Sequence, residues 1–353
     1  MKIEGFIKPV NLKSIIITII LFFVFFVRLD AMEGQLTLTS GAGWKSNVDP
    51  VFSFRSAADI FKRKKEKSGF TTNFSIEGEL QGDKGNGFLL DFSLNSLLSV
   101  QSLENSTLDT GIEGGYILSI GQKNFLAFIL GMHNSAFDYK NISSLYIDPY
   151  ISLSYLYDSK TFYALFLRAG TSYYKSTSSL IEYINGFSSF VEGGARFMAG
   201  KINISDLFTG ASFTFFDNQK IKYNRYENVY YGELDIAGQY YSLYAGLSTE
   251  WSVSILSFPL TLKYVYSRSF DEDTHRIVYW SDMETGQRIY RKIRVDSTVE
   301  FSAGVSVDLG DSFSIQMNYL LHKNFSNVGE DFGDYADYSR LAHTVLAEAV
   351  YEY

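Results

Sequence analysis

From Phe70 onward the sequence alternates with period two over long segments, and that combination of period and length limits what the chain can fold into. Phe70, Thr72, Phe74, Ile76, Gly78 and Leu80 fall on one face, with Asn73, Ser75, Glu77, Glu79 and Gln81 on the other. Val299, Phe301, Ala303, Val305, Val307 and Leu309 alternate with Glu300, Ser302, Gly304, Ser306 and Asp308. The stretches Phe313 to Leu321, Val191 to Phe197 and Tyr241 to Leu247 repeat the pattern. Strands of soluble proteins run about five or six residues, whereas a tilted membrane-crossing strand needs roughly nine to eleven. These segments have the longer span.

The connections are a second signal. Short, turn-like links occur at Asp83 to Asn86, Gly121 to Asn124, Asp158 to Lys160, Gly200 to Lys201, Ser257 to Pro259 and Gly310 to Asp311. Longer polar links lie between them, near 96–106, 138–144, 176–186, 218–237, 271–296 and 325–339. An up-and-down transmembrane barrel with short periplasmic turns and long outer loops requires that alternation. The expected fold is therefore all-β, an antiparallel barrel with strands near 70–82, 87–96, 107–121, 124–137, 145–157, 161–175, 187–199, 205–217, 239–256, 258–270, 297–309, 312–324 and 340–353. Bacterial single-chain barrels have an even number of strands, so one more is needed. Gln35 to Trp44 is the best segment and Val51 to Ala57 its rival. The expected count is about fourteen, with twelve to sixteen open. Of the four Pro, Pro9 and Pro50 fall outside strands, Pro259 reads as part of a turn, and Pro149 near a strand start is the awkward one.

Residues 1–31 read as an export signal. Lys2, Lys8 and Lys13 precede an unbroken apolar run from Ile15 to Val27, and Arg28-Leu29-Asp30-Ala31 follows with a small residue at the cleavage point. The run is short for a spanning helix, which needs about 20 apolar residues. Residues 32–353 then form one barrel domain. Losing Lys2, Lys8, Lys13 and Arg28 together with Glu4 and Asp30 takes the net charge from -8 to about -10.

Composition excludes other classes. With no Cys there is neither a disulfide framework nor a thiolate metal site nor a lipoprotein anchor. A pI near 5.2 argues against nucleic acid as partner. Aromatics at 17% beside a mean hydropathy of -0.03 require much apolar surface interleaved with as much polar surface.

The chain ends Thr344-Val345-Leu346-Ala347-Glu348-Ala349-Val350-Tyr351-Glu352-Tyr353. This resembles the terminal strand of bacterial outer-membrane β-barrel proteins of the general porin type, aromatic at its end with apolar residues alternating upstream. The resemblance covers the mature chain as architecture and selects no family. It implies residence in outer-membrane lipid and recognition by the barrel-assembly machinery through Tyr351 and Tyr353. The chain has no Asn-Pro-Ala hatch motif of the long-chain fatty-acid transporters and no room for the plug of TonB-dependent receptors.

If the apolar parity faces lipid, the other lines the lumen. Its acids are Glu77, Glu79, Asp91, Asp109, Glu113, Asp148, Glu192, Asp206, Glu250, Glu300, Asp308, Glu348 and Glu352, against Arg168, Arg196 and Lys263. Three bases cannot neutralise so many acids, and buried unpaired charge costs several kcal/mol. A hydrated lumen follows, with Gly and Ser filling much of the remainder. Carboxylate rings favour cations, which suggests a channel for small polar or cationic solutes; acids near strand ends that merely sit in wet mouths are the plainer alternative.

Two loops stand out. Phe270 to Asp296 contains strand-like pieces at Arg276 to Trp280 and Arg288 to Val295, read as a hairpin above the membrane. Through Arg288, Arg291, Lys292 and Arg294 it could gate an acidic mouth, or it could be a solvated extension of the wall. Asp217 to Tyr231 mixes Lys220, Lys222 and Arg225 with Tyr223, Tyr226, Tyr230 and Tyr231, which suits stacking on an external ligand as well as a plain amphipathic loop. The basic run Phe61 to Lys67 could meet anionic head groups. Glu330, Asp331, Asp334 and Asp337 match no EF-hand spacing, so no metal is expected. Catalysis is not expected either, the nearest pairing being His343 with Ser339. No cofactor is implied. Two other functions stay open: a structural or adhesive barrel binding a host partner through its loops, and a transporter of hydrophobic compounds, which a polar lumen disfavours.

Overall fold

The computed structural model describes residues 33–46, 69–81, 87–99, 107–120, 124–137, 144–158, 163–176, 186–199, 203–216, 219–225, 230–236, 239–270, 275–281, 287–291, 293–327 and 340–353. Residues 1–31, read as an export signal, and the rival first strand at Val51 to Ala57 lie outside them. Eighteen strands are formed. In chain order they are β1 (Glu33–Lys45), β2 (Gly69–Gln81), β3 (Gly87–Ser99), β4 (Thr107–Ile120), β5 (Asn124–Phe137), β6 (Ser144–Asp158), β7 (Tyr163–Ser176), β8 (Gly186–Ala199) and β9 (Asn203–Phe216). There follow β10 (Gln219–Arg225), β11 (Tyr230–Ile236), β12 (Gln239–Val253), β13 (Leu256–Ser269), β14 (His275–Ser281), β15 (Gln287–Arg291), β16 (Val295–Asp308), β17 (Phe313–Ser326) and β18 (Arg340–Glu352).

Fourteen of them close into one antiparallel barrel in the order β1-β18-β17-β16-β13-β12-β9-β8-β7-β6-β5-β4-β3-β2. The count matches the expectation, and β1 on Gln35 to Trp44 is the fourteenth strand. It pairs β2 from Glu33↔Gln81 to Lys45↔Gly69 and β18 from Thr37↔Glu352 to Lys45↔Thr344. Backbone bonds between Leu36 and Tyr353, 2.9 and 2.8 Å long, fasten the seam at its lower end. No edge is left, as hydrocarbon demands: it contains no water to satisfy an open N–H or C=O.

The outward face carries Trp44, Phe74, Phe88, Ile112, Phe128, Leu167, Phe213, Leu243, Trp251, Leu262, Ile315 and Val345, each well exposed. Side chains splay apart on a convex surface, and this band is what lipid covers. Polar groups of the same parity are matched across neighbouring strands: Ser205 with Thr249 at 2.8 Å, Ser189 with Thr171 at 3.0 Å, Tyr264 with Ser297 at 3.1 Å and Tyr319 with His343 at 2.7 Å. An unmatched hydroxyl in hydrocarbon would cost several kcal/mol. At the outer rim Phe187, Phe215 and Phe270 stack at centroid distances of 5.0 and 5.7 Å, and Tyr241 leans on Phe270 at 5.5 Å. This is the interfacial aromatic girdle of a membrane barrel.

The two prolines within strands show how the ladder absorbs a missing N–H. Between β6 and β7 the pairs Ile147↔Lys175 and Tyr150↔Ser172 hold one register, and the two positions around Pro149 drop out of it. Pro259 does the same between Ser257↔Ser306 and Leu260↔Ala303. Its placement in a turn was mistaken. The β12–β13 turn lies at Ser254–Ile255, between the paired Val253 and Leu256, and Pro259 is inside β13.

The link 218–237, read as a polar loop, is instead the hairpin β10–β11. Its seven-residue strands are too short and too charged to resemble membrane strands. With β14–β15, the expected hairpin, it forms a four-stranded sheet in the order β10-β11-β14-β15. That order copies β9-β12-β13-β16, the barrel strands from which these segments rise.

Ser254 adopts φ 58, a left-handed conformation costing a residue with a Cβ about 1–2 kcal/mol. Ser254→Gly should stabilise the barrel by about 1 kcal/mol, read as a higher midpoint for loss of the compact, heat-modifiable band in denaturing gels.

Candidate functional site: the inward face of the barrel

Register places all the acids and bases read as lumenal on one face. Glu79, Asp91 and Glu113 sit side by side on β2, β3 and β4. Glu348 pairs with Gly41 of β1, which in turn pairs with Asn73 of β2. Because Gly41 has no side chain, Asn73 reaches over it to donate a hydrogen bond to Glu348. Asn318 donates to the same carboxylate at 2.7 Å.

Each of the three bases faces an acid one strand away. Arg168 lies 4.0 Å from Glu192, Lys263 3.7 Å from Glu300, and Arg196 grips Asp206 with two bonds of 2.8 Å. His322 approaches Glu300 at 3.6 Å and His133 approaches Glu113 at 3.1 Å. Exposed pairs of this kind stabilise a fold by about 1 kcal/mol or less. Their main effect here is electrostatic: the bases are cancelled locally. Among the described residues no Lys or Arg pairs with Glu77, Glu79, Asp91, Asp109 or Glu348.

These five acids are grouped. They lie on β18 and β2 to β4, whereas the ion pairs of the three bases lie on β7, β8, β9, β13 and β16. Around a closed ring of fourteen strands, β1 to β4 stand opposite β8, β9, β12 and β13. One wall carries a cluster of unmatched acids; the other carries the ion pairs, with Glu250 and Asp308 unmatched toward its lower end among the described residues.

Tyr244 joins the balanced wall into a chain. Glu192, Gly210 and Tyr244 occupy one register row across β8, β9 and β12. The phenol lies over Gly210, where a Cβ would collide with it, and its hydroxyl meets the Glu192 carboxylate. Lys263 stands 5.2 Å from the same ring. The sequence Arg168–Glu192–Tyr244–Lys263–Glu300–His322 therefore crosses from β7 to β17. Two more rings lean the same way: Phe166 over Gly194 and Phe208 over Gly246. Phe190 carries Arg168 at 6.0 Å.

These rings correct one expectation. Gly and Ser do not simply fill the remaining lumen: Phe166, Phe190, Phe208 and Tyr244 share the inward face, as do Leu89, Ile117 and Ile129 on β3 to β5 by register. Phe208-x-Gly210 and Tyr244-x-Gly246 are visible as repeats in the sequence. Only cross-strand register shows that each ring rests on the other strand's glycine side.

The remaining expected sites are dispersed. Arg294 is held by Asp296 at 2.6 Å at the outer rim, Arg288 and Arg291 belong to β15, and Lys292 lies outside the described residues. Glu250 pairs with Pro259 in register near the lower mouth. Tyr351 faces outward opposite Phe313. His343 bonds Tyr319, while Ser339 and the acidic loop 330–337 lie outside the described residues. Among the described residues no three His, Asp or Glu come together at metal-binding spacing.

The closed ring, its even strand number and its apolar belt decide the class. The chain is an outer-membrane β-barrel. No family model and no curated protein matches the sequence. Solved structures similar to it include the outer-membrane channel DcaP of Acinetobacter baumannii, at 9% identity and a TM-score of 0.48 over 92% of this chain and 98% of that one. An outer-membrane channel of Pseudomonas putida F1 is similar at 9% identity and 0.41, over 92% and 99%. The TodX monoaromatic hydrocarbon channel, as its deltaS2 mutant, is similar at 8% identity and 0.43, over 92% and 90%. Likeness at this level says nothing of what the present barrel carries.

The glycine seats are testable as packing. Gly246→Val should destabilise the barrel by about 2 kcal/mol through collision with the Phe208 ring. Phe208→Ala in the same chain should recover much of that loss, measured as coupling in a double-mutant cycle of guanidinium unfolding.

Proposed function

We propose that the barrel is a hydrated channel that favours cations and passes small polar solutes. The observation that supports this is the excess of unmatched carboxylates: Arg168, Arg196 and Lys263 are each matched by an acid, while Glu77, Glu79, Asp91, Asp109 and Glu348 on β2 to β4 and β18 have no Lys or Arg partner among the described residues. Such a wall lowers the energy of a cation in the lumen and raises that of an anion. With strands about 4.8 Å apart and tilted about 40°, fourteen strands enclose a backbone cylinder of about 28 Å. Side chains projecting inward leave a bore on the order of 10 Å. The four-stranded outer sheet, with Arg288 and Arg291 on β15, is the proposed gate above the mouth. Tyr351 and Tyr353, at the end of the strand that closes the ring, are the proposed signal for the barrel-assembly machinery.

The choice of variants follows from the pairing. Replacing Glu79, Asp91 and Glu113 by Gln, Asn and Gln removes only unmatched or His-matched acids. The reversal potential across a tenfold KCl gradient in planar bilayers should then move toward zero from its cation-selective value. Unchanged selectivity would sink the reading. Glu192→Gln with Glu300→Gln should move it in the same direction, because each leaves a base, Arg168 or Lys263, without its acid. Deleting residues 275–291 should lengthen open times at constant step size; unaltered open times would remove the gate.

A further inference from the structure

The balanced wall already shows what its rings bind. Tyr244 carries the ammonium of Lys263, one row below its own, at 5.2 Å, and Phe190 just above carries the Arg168 guanidinium at 6.0 Å. The next row toward the lower mouth reads Phe166–Gly194–Phe208–Gly246–Lys263 across β7, β8, β9, β12 and β13. Large and absent side chains alternate, so the far end of each phenyl ring lies over the glycine of the neighbouring strand, and both rings remain partly exposed on the inward face. Among the described residues no cation sits over Phe166 or Phe208. Both rings stand across the bore from the strands that carry the unmatched carboxylates.

We propose that Phe166 and Phe208 form a lumenal subsite for organic cations, that is, quaternary or protonated amines with apolar substituents. The ligand class follows from two features together. The lumen's excess negative charge admits a cation, and an open ring face attracts one whose hydration is weak. Potassium keeps its water and gains little from a phenyl face, whereas an alkylated ammonium loses little on desolvation and packs its methyl groups on the ring. The subsite rests on the channel reading for access to the lumen, and the test separates the two.

The probe is phenyltrimethylammonium, added to barrels of the full chain conducting potassium in planar bilayers. Phe166→Leu and Phe208→Leu should each raise its half-blocking concentration about threefold, and the double variant about tenfold. Phe208→Tyr, which keeps the ring, should hold the parent value, as should the outward-facing control Phe213→Leu. A double variant blocked at the parent concentration, or a parent that is not blocked, overturns the subsite while leaving the channel standing. If the barrel passes no potassium current, the channel reading fails. Calorimetric titration of the same probe into barrels in nanodiscs then decides the subsite: heat that disappears in the double variant supports it, and heat that persists, or none in the parent, overturns it.

Discussion

The whole structure depends on one requirement: in hydrocarbon every backbone N–H and C=O must find a partner within the protein. That requirement sets the closure of the ring, the pairing of β1 with β18 and strands long enough to cross the hydrocarbon. It also explains why two prolines are tolerated. Pro149 and Pro259 each lose a donor toward one neighbour only, and the ladders to β7 and β16 resume in the same register two residues on. The same accounting extends to side chains, since the outward hydroxyls of Ser205, Ser189 and Tyr264 all find a partner on the adjacent strand.

The barrel was legible in the sequence because membrane strands are long and their two faces differ chemically over their whole length. A fourteenth strand at Gln35 to Trp44 could be found by counting. The hairpin β10–β11 of the outer sheet could not, since Lys220-Ile221-Lys222-Tyr223 alternates as any amphipathic loop does. Which residues share a face was legible too, because parity alone decides it. What was not legible is who meets whom. Arg196 with Asp206, Lys263 with Glu300 and Tyr244 with Glu192 are set by stagger between strands, and a one-residue slip would replace every such pair.

Register also turns an excess of acids into an arrangement. As a list, the inward charges are merely negative. Placed on the ring, Arg168, Arg196 and Lys263 are neutralised on one side, and the cluster Glu77, Glu79, Asp91, Asp109 and Glu348 gathers on the other. Glycine makes this possible in two ways. Gly41 lets Asn73 steady Glu348 across a strand, and Gly210 lets Tyr244 link two ion pairs that would otherwise be separate. A small residue on the inward face acts here as a seat for its neighbour's side chain, and the width of the lumen depends on these seats being empty.

The seam between β1 and β18 constrains how the molecule comes into being. Its lower end is fastened by Leu36 and Tyr353, among the first residues of the barrel and the very last. A chain emerging from its N-terminus therefore cannot seal the ring until β18 has been made. Until then its first strand has a free edge, the feature that most invites pairing with other chains. Loop-closure entropy over more than three hundred residues delays that last contact further. The architecture thus makes closure of the barrel an all-at-once event that waits for its last strand.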